Sequence, residues 1–185
     1  MGVSLATCDA RRMLLRRERG DDGDVIHQIH LEAFGALGIY GDAPPVEAQL
    51  VRDLRADDGW VPALSIVAET AEGAVVGHVV ATEGHLEGAR VVGLGPLGVL
   101  PDQQKAGVGS ALMHAVLGAA DALDYDLVAL LGDPGYYRRF GFVPAASLGI
   151  DAPDPAWGDH SQVRALSAYR GTSGGFRYAA PFERL

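Results

Sequence analysis

The chain has 185 residues, of which 48% are hydrophobic, and its formal net charge is −9. This length and apolar content are typical of one domain with a sizeable core, and the negative charge argues against nucleic-acid binding through phosphate contacts. Cys8 is the only cysteine, which excludes a disulfide within the chain and fits a reducing cytoplasm. Because no signal peptide or membrane-length apolar run is recognisable, we expect a cytoplasmic protein without membrane contact.

The amino-terminal part predicts a tail, a strand and a helix. Residues 1–12 show no periodicity, so we expect a disordered tail before a single domain at residues 13–185. Residues 13–18 (MLLRRE) are predicted to form a short strand, and the apolar residues that follow are spaced as in a helix. His27 and His30 lie three residues apart on that helix. Without further ligands nearby, we interpret them as surface or core-edge histidines and predict no metal site.

Three strands are predicted next, after a glycine- and proline-punctuated loop and a second helix at residues 47–54. Residues 63–69 (ALSIVAE) and 74–82 (AVVGHVVAT) are separated by a short turn, which predicts a hairpin. A turn near Gly88 then leads to a third strand at residues 91–100. Because strands adjacent in the chain commonly pair, we expect an antiparallel meander.

The most informative stretch follows the third strand. Pro101 ends that strand, and the sequence QKAGVG at residues 104–109 opens a helix. Glycines allow a ligand to approach the backbone closely, and the first amides of a helix have no partner within the helix. Together with the helix dipole, these amides form an anion site suited to phosphate. We call residues 104–110 the glycine loop.

Two other glycine motifs are excluded as the phosphate site. The P-loop pattern GxxxxGK[ST] does not occur in the chain. The dinucleotide-type pattern GxGxxG occurs at residues 93–98 (GLGPLG), but more strand and a proline follow it instead of a helix. Because the pattern needs that strand-to-helix context, the phosphate-binding interpretation belongs to the glycine loop.

A strand–helix–strand unit surrounds the glycine loop. The apolar stripe of residues 108–123 predicts an amphipathic helix. Residues 126–131 (DLVALL) are short and almost continuously apolar, as in a strand buried on both faces. Such a unit makes a right-handed crossover between parallel strands, and α/β sheets commonly bind ligands at the carboxyl ends of parallel strands.

The last part of the chain predicts shorter elements. Asp133 and Pro134 are typical of a helix start, and Gly141 ends that short helix before another strand. An irregular loop follows at about residues 145–159, and residues 161–167 and 176–179 are predicted to pair as a last hairpin.

With these motifs in order, the chain resembles the GNAT superfamily of acyl-CoA-dependent N-acyltransferases. That family's central motif is Gln or Arg, two residues, Gly, one residue, and Gly or Ala, and it follows an apolar triplet after four residues. Here the triplet is at residues 97–99 and the motif starts at Gln104. The sequence GDPGYYRRFGF at residues 132–142 resembles the family's tyrosine-bearing helix and its Gly-Phe strand start.

The resemblance, which covers about residues 13–182, implies an α/β (α+β) fold. Its central sheet would be mixed and mostly antiparallel, with one parallel, splayed strand pair and flanking helices. It also implies acetyl-CoA as co-substrate, with the pantetheine arm paired to the triplet, the pyrophosphate on the glycine loop, and no metal. The implied cofactor-binding residues are Leu97, Gly98, Val99, Gln104, Lys105, Ala106, Gly107, Val108, Gly109 and Ser110.

The resemblance implies a proton donor but leaves the general base open. The family often uses a tyrosine four residues before the glycine of Gly-Phe, here Tyr137; Tyr136 points about 100° away on a helix, so we favour Tyr137. In relatives with an acidic base, that base lies four residues before the triplet, where this chain has Gly93. Glu83, His85 or a water relay are the alternatives, and we name Glu83 as the candidate.

Two functional hypotheses follow. The first is an N-acetyltransferase in which a primary amine attacks acetyl-CoA directly in a ternary complex; a lone cysteine in the predicted tail disfavours an acyl-enzyme route. The second is a non-catalytic acyl-CoA-binding or sensing module, which the missing base supports; a longer acyl donor is a third idea.

The sequence does not identify the acceptor, a small molecule or a peptide, although Tyr40 and Trp60 are candidates to line its pocket. It also leaves homodimer formation open.

Overall fold

The computed structural model describes residues 13–41 and 43–184. The predicted tail and Cys8 lie outside the described residues. The strands are β1 (Leu14–Arg17), β2 (Trp60–Glu69), β3 (Val75–Glu83), β4 (Val91–Val99), β5 (Leu127–Leu131), β6 (Val143–Pro144), β7 (Ile150–Asp151), β8 (Ser161–Ala165) and β9 (Gly174–Gly175). The α-helices are α1 (Gly23–Gly35), α2 (Val46–Arg55), α3 (Val108–Ala122) and α4 (Pro134–Tyr137). None of these helices is both long enough and apolar enough to cross a bilayer.

One seven-stranded sheet forms the centre of the molecule, in the order β1-β2-β3-β4-β5-β8-β6. Its neighbouring strands are antiparallel except for β4 and β5, which are parallel. The predicted meander corresponds to β2, β3 and β4, and α3 makes the predicted crossover to β5. The predicted fold class is therefore confirmed.

The parallel pair is splayed. Hydrogen-bonded pairing joins β4 and β5 only from Val91–Leu127 to Gly93–Ala129, although β4 continues to Val99 and β5 to Leu131. The register between β3 and β4 also shifts between the pairs Val79–Leu97 and Ala81–Leu94. A gap therefore opens between β4 and β5 after Gly93, and we call the place where it begins the apex of the gap.

Helices cover both faces of the sheet. On β3, Val79 and Ala81 pack with α3 in the largest apolar cluster, whereas Val80 packs with Leu50 and Leu54 of α2. Successive strand residues point to opposite faces, so α3 lies on one face and α2 on the other. The side of each helix that faces the sheet is fully buried, as its apolar spacing predicts.

The predicted last hairpin is wrong. β8 does lie at residues 161–165, but it pairs with β5 on one side and with β6 on the other. Residues 176–179 are not its partner; the short strand β9 just before them pairs in parallel with β7. Because both edges of β8 are already occupied, the following segment packs its aromatic side chains instead, with Phe176 buried in a core cluster.

Candidate active site

A cleft of about 490 Å³ lies beside the carboxyl end of β4. Its walls come from the end of α1, the last residues of β4, the glycine loop and the segment around α4. These elements meet there because β5 has diverged from β4 and leaves that edge of the strand unpaired. The cleft is thus the wide end of the gap between the two parallel strands.

The glycine loop has the backbone of an anion-binding turn. Lys105 and Gly107 have positive φ angles of 61° and 92°, and Gly107 immediately precedes the first residue of α3. A left-handed backbone favours glycine, which explains the first glycine of the motif. The side chain of Gln104 donates a hydrogen bond from Nε2 to the Val99 carbonyl at 3.1 Å, so the glutamine fixes the loop to the end of β4.

Tyr136 contacts the start of α3. A Cβ atom added to Gly109 would lie 3.1 Å from the Tyr136 hydroxyl, so a glycine here allows the ring to approach the helix. Burial raises the pKa of Tyr136, and Arg139 and Ser110 partly oppose that rise. The Tyr136 ring therefore forms one wall of the cleft next to the glycine loop.

Of the residues that the structure describes, two cationic side chains line the cleft, in a chain whose net charge is negative. They are Lys105 in the glycine loop and Arg139 after α4. The Arg139 guanidinium lies 4.7 Å from the centre of the Tyr136 ring, and its Nε donates a hydrogen bond to the Tyr136 carbonyl at 2.9 Å. These contacts hold the arginine beside the loop, so the cleft combines free helix amides with positive charge and is suited to a phosphorylated ligand.

Most of the residues predicted to bind the cofactor line this cleft. Gly98 instead faces α1, where an added Cβ would lie 2.8 Å from Nδ1 of His30, and Val108 is buried in the core; Ala106 is exposed but is not a lining residue. The predicted residues that line the cleft are Leu97, Val99, Gln104, Lys105, Gly107, Gly109 and Ser110. The lining residues that were not predicted to bind the cofactor are Ala33, Phe34, Leu37, Tyr136, which was weighed only as a proton donor, and Arg139.

Tyr137 lies at the narrower part of the gap. Its ring covers Gly132, directly after β5, where a Cβ would overlap the ring. The ring also packs edge-on against Tyr136 and Phe142, at centroid distances of 4.9 and 5.9 Å. Burial raises the pKa of Tyr137 to about 12, so its hydroxyl stays protonated at neutral pH.

The position of the missing acidic base is occupied by a tyrosine from elsewhere in the chain. The ring of Tyr178 lies on Gly93, and a Cβ on Gly93 would overlap it. Burial raises the pKa of Tyr178, and the proximity of Tyr137 raises it further. No signal in the local sequence connects residues so far apart, and sequence reasoning missed this contact.

Glu83 is not brought to the cleft. It pairs with Val92 at the other end of β4, and its Oε1 accepts a hydrogen bond from the Tyr125 hydroxyl at 2.8 Å. His85, the second alternative, is exposed and forms an isolated backbone bridge with Arg177.

The helix histidine His30 is part of a buried polar chain instead of lying at the core edge. His30 Nε2 and His78 Nδ1 are 2.8 Å apart, and His78 Nε2 lies 2.9 Å from Ser65 Oγ, whose hydroxyl donates to Glu18. Burial lowers the pKa of His30 to about 3 and also lowers that of His78, so both rings are neutral. Within residues 13–41 and 43–184, no cluster of three or more His, Cys, Asp or Glu side chains could hold a metal ion.

The two aromatic candidates for an acceptor pocket are not among the residues that line the cleft. The Tyr40 hydroxyl donates to Glu47 at 2.7 Å. Trp60 packs against the apolar cluster of α2, with the Arg55 guanidinium 5.6 Å from its ring centre. The cleft described above is therefore built without them.

Comparison with known proteins agrees with this architecture. Residues 62–144 match the family described as acetyltransferase (GNAT) domain. The chain is 34% identical over 143 residues to the Uncharacterized N-acetyltransferase YhbS of Escherichia coli strain K12, covering 75% of this chain and 84% of the relative. It is 33% identical over 171 residues to the Uncharacterized N-acetyltransferase YjhQ of the same strain, covering 88% and 90%.

Solved structures give the same result. The crystal structure of Escherichia coli YhbS in complex with CoA has a TM-score of 0.78 and 31% identity, covering 94% of this chain and 93% of that chain. A GNAT family acetyltransferase from Brucella melitensis in complex with acetyl-CoA has a TM-score of 0.73 and 32% identity, covering 92% and 98%. On these identities and coverages, the chain belongs to the GNAT family of N-acetyltransferases.

Proposed function

We propose that this enzyme transfers the acetyl group of acetyl-CoA to a primary amine, which attacks the thioester directly in a ternary complex. The observation that carries the proposal is the gap between β4 and β5, which starts at Gly93 and widens to the glycine loop. A gap of this form offers a long unpaired strand edge to an extended ligand with a phosphate at one end. That is the shape and chemistry of acetyl-CoA.

In this arrangement the two ends of the cofactor meet different chemistry. The pyrophosphate binds the free amides at the start of α3, with Lys105 and Arg139 as charged neighbours. The pantetheine arm binds the main chain of Leu97 and Val99 along the unpaired edge of β4. The thioester then points toward the apex, on the side where Tyr137 lies.

The chemical steps balance with one proton donor from the protein. The amine lone pair attacks the thioester carbon and forms the C–N bond, while a main-chain amide on the unpaired edge of β4 stabilises the negative charge on oxygen. The C–S bond then breaks, and the departing thiolate takes the proton of the Tyr137 hydroxyl. Tyr137 regains a proton from water. With its pKa raised to about 12, Tyr137 carries its proton at neutral pH.

The proton of the amine leaves to solvent in this scheme. Among the described residues, those that line the cleft include no carboxylate and no histidine, and Glu83 is engaged with Tyr125. An amine that is already neutral therefore reacts fastest, and turnover should rise with pH until the amine is deprotonated.

The first experiment is a calorimetric titration of the purified protein with acetyl-CoA. We expect micromolar binding, which corresponds to roughly −8 kcal/mol.

A panel of primary amines is then screened for amine-dependent release of the CoA thiol. Intersecting initial-rate lines support direct attack, and parallel lines would contradict it. Binding without turnover for any amine would favour the alternative of a non-catalytic sensing module, and no binding at millimolar acetyl-CoA would refute the proposal.

A further inference from the structure

The apex of the gap is covered by Tyr178. The last hydrogen-bonded pair of the parallel strands is Gly93 with Ala129, and the three atoms closest to a Cβ built on Gly93 all belong to the Tyr178 ring. The ring therefore rests on the main chain at the point where the strands begin to separate. Any other residue than glycine at position 93 would displace it.

Three other aromatic rings hold Tyr178 there. Phe176 packs edge-on at a centroid distance of 4.7 Å with the planes at 87°. Phe182 and Trp157 pack at 4.9 and 6.2 Å. Edge-to-face and tilted contacts of this kind are favourable aromatic geometries, so packing against these three rings fixes the Tyr178 ring.

The opposite wall of the apex is also aromatic. Tyr137 covers Gly132, just beyond the end of β5, and its proximity contributes to the raised pKa of Tyr178. Gly95 lies in the part of β4 where the register with β3 shifts. A Cβ on Gly95 would lie 3.8 Å from Phe182, so an aromatic ring also packs against β4 at this point. Large rings therefore meet glycine backbone on both strands at the narrow end of the gap.

We propose that Tyr178 is a specificity-determining residue for the acyl donor, because its ring closes the channel in which the acyl chain lies. The inference rests on the proposed function, which directs the thioester toward the apex. An acetyl group ends before the ring. A longer acyl chain meets a packed aromatic wall, and forcing extra methylenes into a well-packed site is destabilising.

The experiment measures acyl-chain selectivity by binding, so that no acceptor is needed. Acetyl-CoA, butyryl-CoA and hexanoyl-CoA are titrated calorimetrically into the parent, Tyr178→Ala, Tyr178→Phe and Tyr169→Ala. Tyr169 packs on the same apolar cluster as Tyr178 but is not one of the rings that pack against it, which makes it the matched control for loss of a tyrosine ring.

In the parent, we expect acetyl-CoA to bind at least about 10-fold more tightly than hexanoyl-CoA, in the range that pocket size gives for a few methylenes. Tyr178→Ala should reduce this ratio to about 3-fold or reverse it. Tyr178→Phe and Tyr169→Ala should keep the parent ratio, because the ring on Gly93 and its three aromatic neighbours remain.

Two results would overturn the inference. One is a parent that binds hexanoyl-CoA as well as acetyl-CoA, and the other is an unchanged ratio in a folded Tyr178→Ala protein. If Tyr178→Ala fails to fold, as judged by its thermal melt, Tyr178→Leu replaces it and the parent ratio still tests the idea. A parent that binds no acyl-CoA at all refutes the proposed function, which separates the two failures.

Discussion

The two ends of the gap between β4 and β5 are built in different ways. At the wide end, the glycine loop uses backbone amides and a left-handed turn supplied by seven consecutive residues, 104–110. At the apex, Tyr137 and Tyr178 supply side chains from separate segments that meet only in the folded chain. On the proposed function, we expect the loop end to determine the affinity for acetyl-CoA and the apex to determine turnover and acyl-chain selectivity.

The largest effect should come from filling the loop end. Gly109→Trp places an indole against the Tyr136 ring and inside the cleft, so we expect acetyl-CoA affinity to fall by more than about 100-fold, equivalent to at least roughly 2.7 kcal/mol. Calorimetry measures the change. Gly118→Trp is the matched control, because Gly118 lies on the same helix with nothing within 4 Å of its Cβ position. Equal loss in both variants would contradict the loop assignment.

The apex should respond in turnover instead of affinity. Tyr137→Phe removes the proposed proton donor and keeps the ring that packs on Gly132. We expect kcat to fall about 100-fold, the lower range for general acid catalysis, with acetyl-CoA affinity unchanged. Tyr169→Phe, which loses only a hydrogen bond to the Thr172 carbonyl, is the control. A Tyr137→Phe enzyme with parental kcat would remove the tyrosine from the mechanism.

Between the two ends, β4 rests on the buried histidine chain, and this part should govern stability in acid. Burial lowers the pKa of His30 to about 3 in the folded protein, below the value of about 6.5 for an unfolded chain. The unfolded state therefore binds the extra proton across this window, so stability must fall as the pH drops from 6.5 toward 3. Each such histidine contributes up to about 1.4 kcal/mol per pH unit.

Chemical denaturation at several pH values measures this slope. His30→Phe should reduce the slope of unfolding free energy against pH by the contribution of one buried histidine. His114→Gln, which replaces an exposed histidine on α3, should leave the slope unchanged. A parent whose unfolding free energy is flat between pH 6.5 and 3 would show that the two rings are not kept neutral by burial.

The smallest effect is expected from charge at the loop end. Arg139→Gln removes a cation that lines the cleft but is exposed, so screening limits its contribution. We expect acetyl-CoA affinity to fall about 5-fold in low salt and less at high ionic strength. Arg138→Gln removes the neighbouring exposed charge, which is not among the lining residues. A similar loss in both variants would indicate a general charge effect instead of a contact.

The features that could be predicted from the sequence are those that depend on neighbouring residues, as the glycine loop does. The predicted strands of the meander match β2, β3 and β4 with small differences at their ends, because alternation and turn residues are local signals. The glycine loop was predictable from Gly107 and Gly109, because a left-handed turn favours glycine at position 107 and close packing against Tyr136 favours it at position 109. Asp133 also accepts a hydrogen bond from the Gly135 amide, as its capping position predicts.

What the sequence could not reveal depends on contacts between distant residues. His30 looked like an edge residue because its partner His78 is 48 positions away. Residues 176–179 have the composition of a strand. They do not pair with β8, because β5 and β6 already occupy both of its edges. Gly93 looked like the loss of a base, whereas the structure places the Tyr178 ring there.

The place of β8 in the sheet has a consequence for the order in which the chain assembles. β8 separates β5 from β6, although it follows both in the sequence, so β6 can join the sheet only after residues 161–165 have docked. The segment that carries Tyr137 connects β5 to β6 and is therefore fixed at its far end only by a later part of the chain. Contacts of such long sequence separation form slowly. During synthesis and refolding, the glycine loop can form from local structure first, whereas the walls that Tyr136 and Tyr137 supply to the gap are completed last.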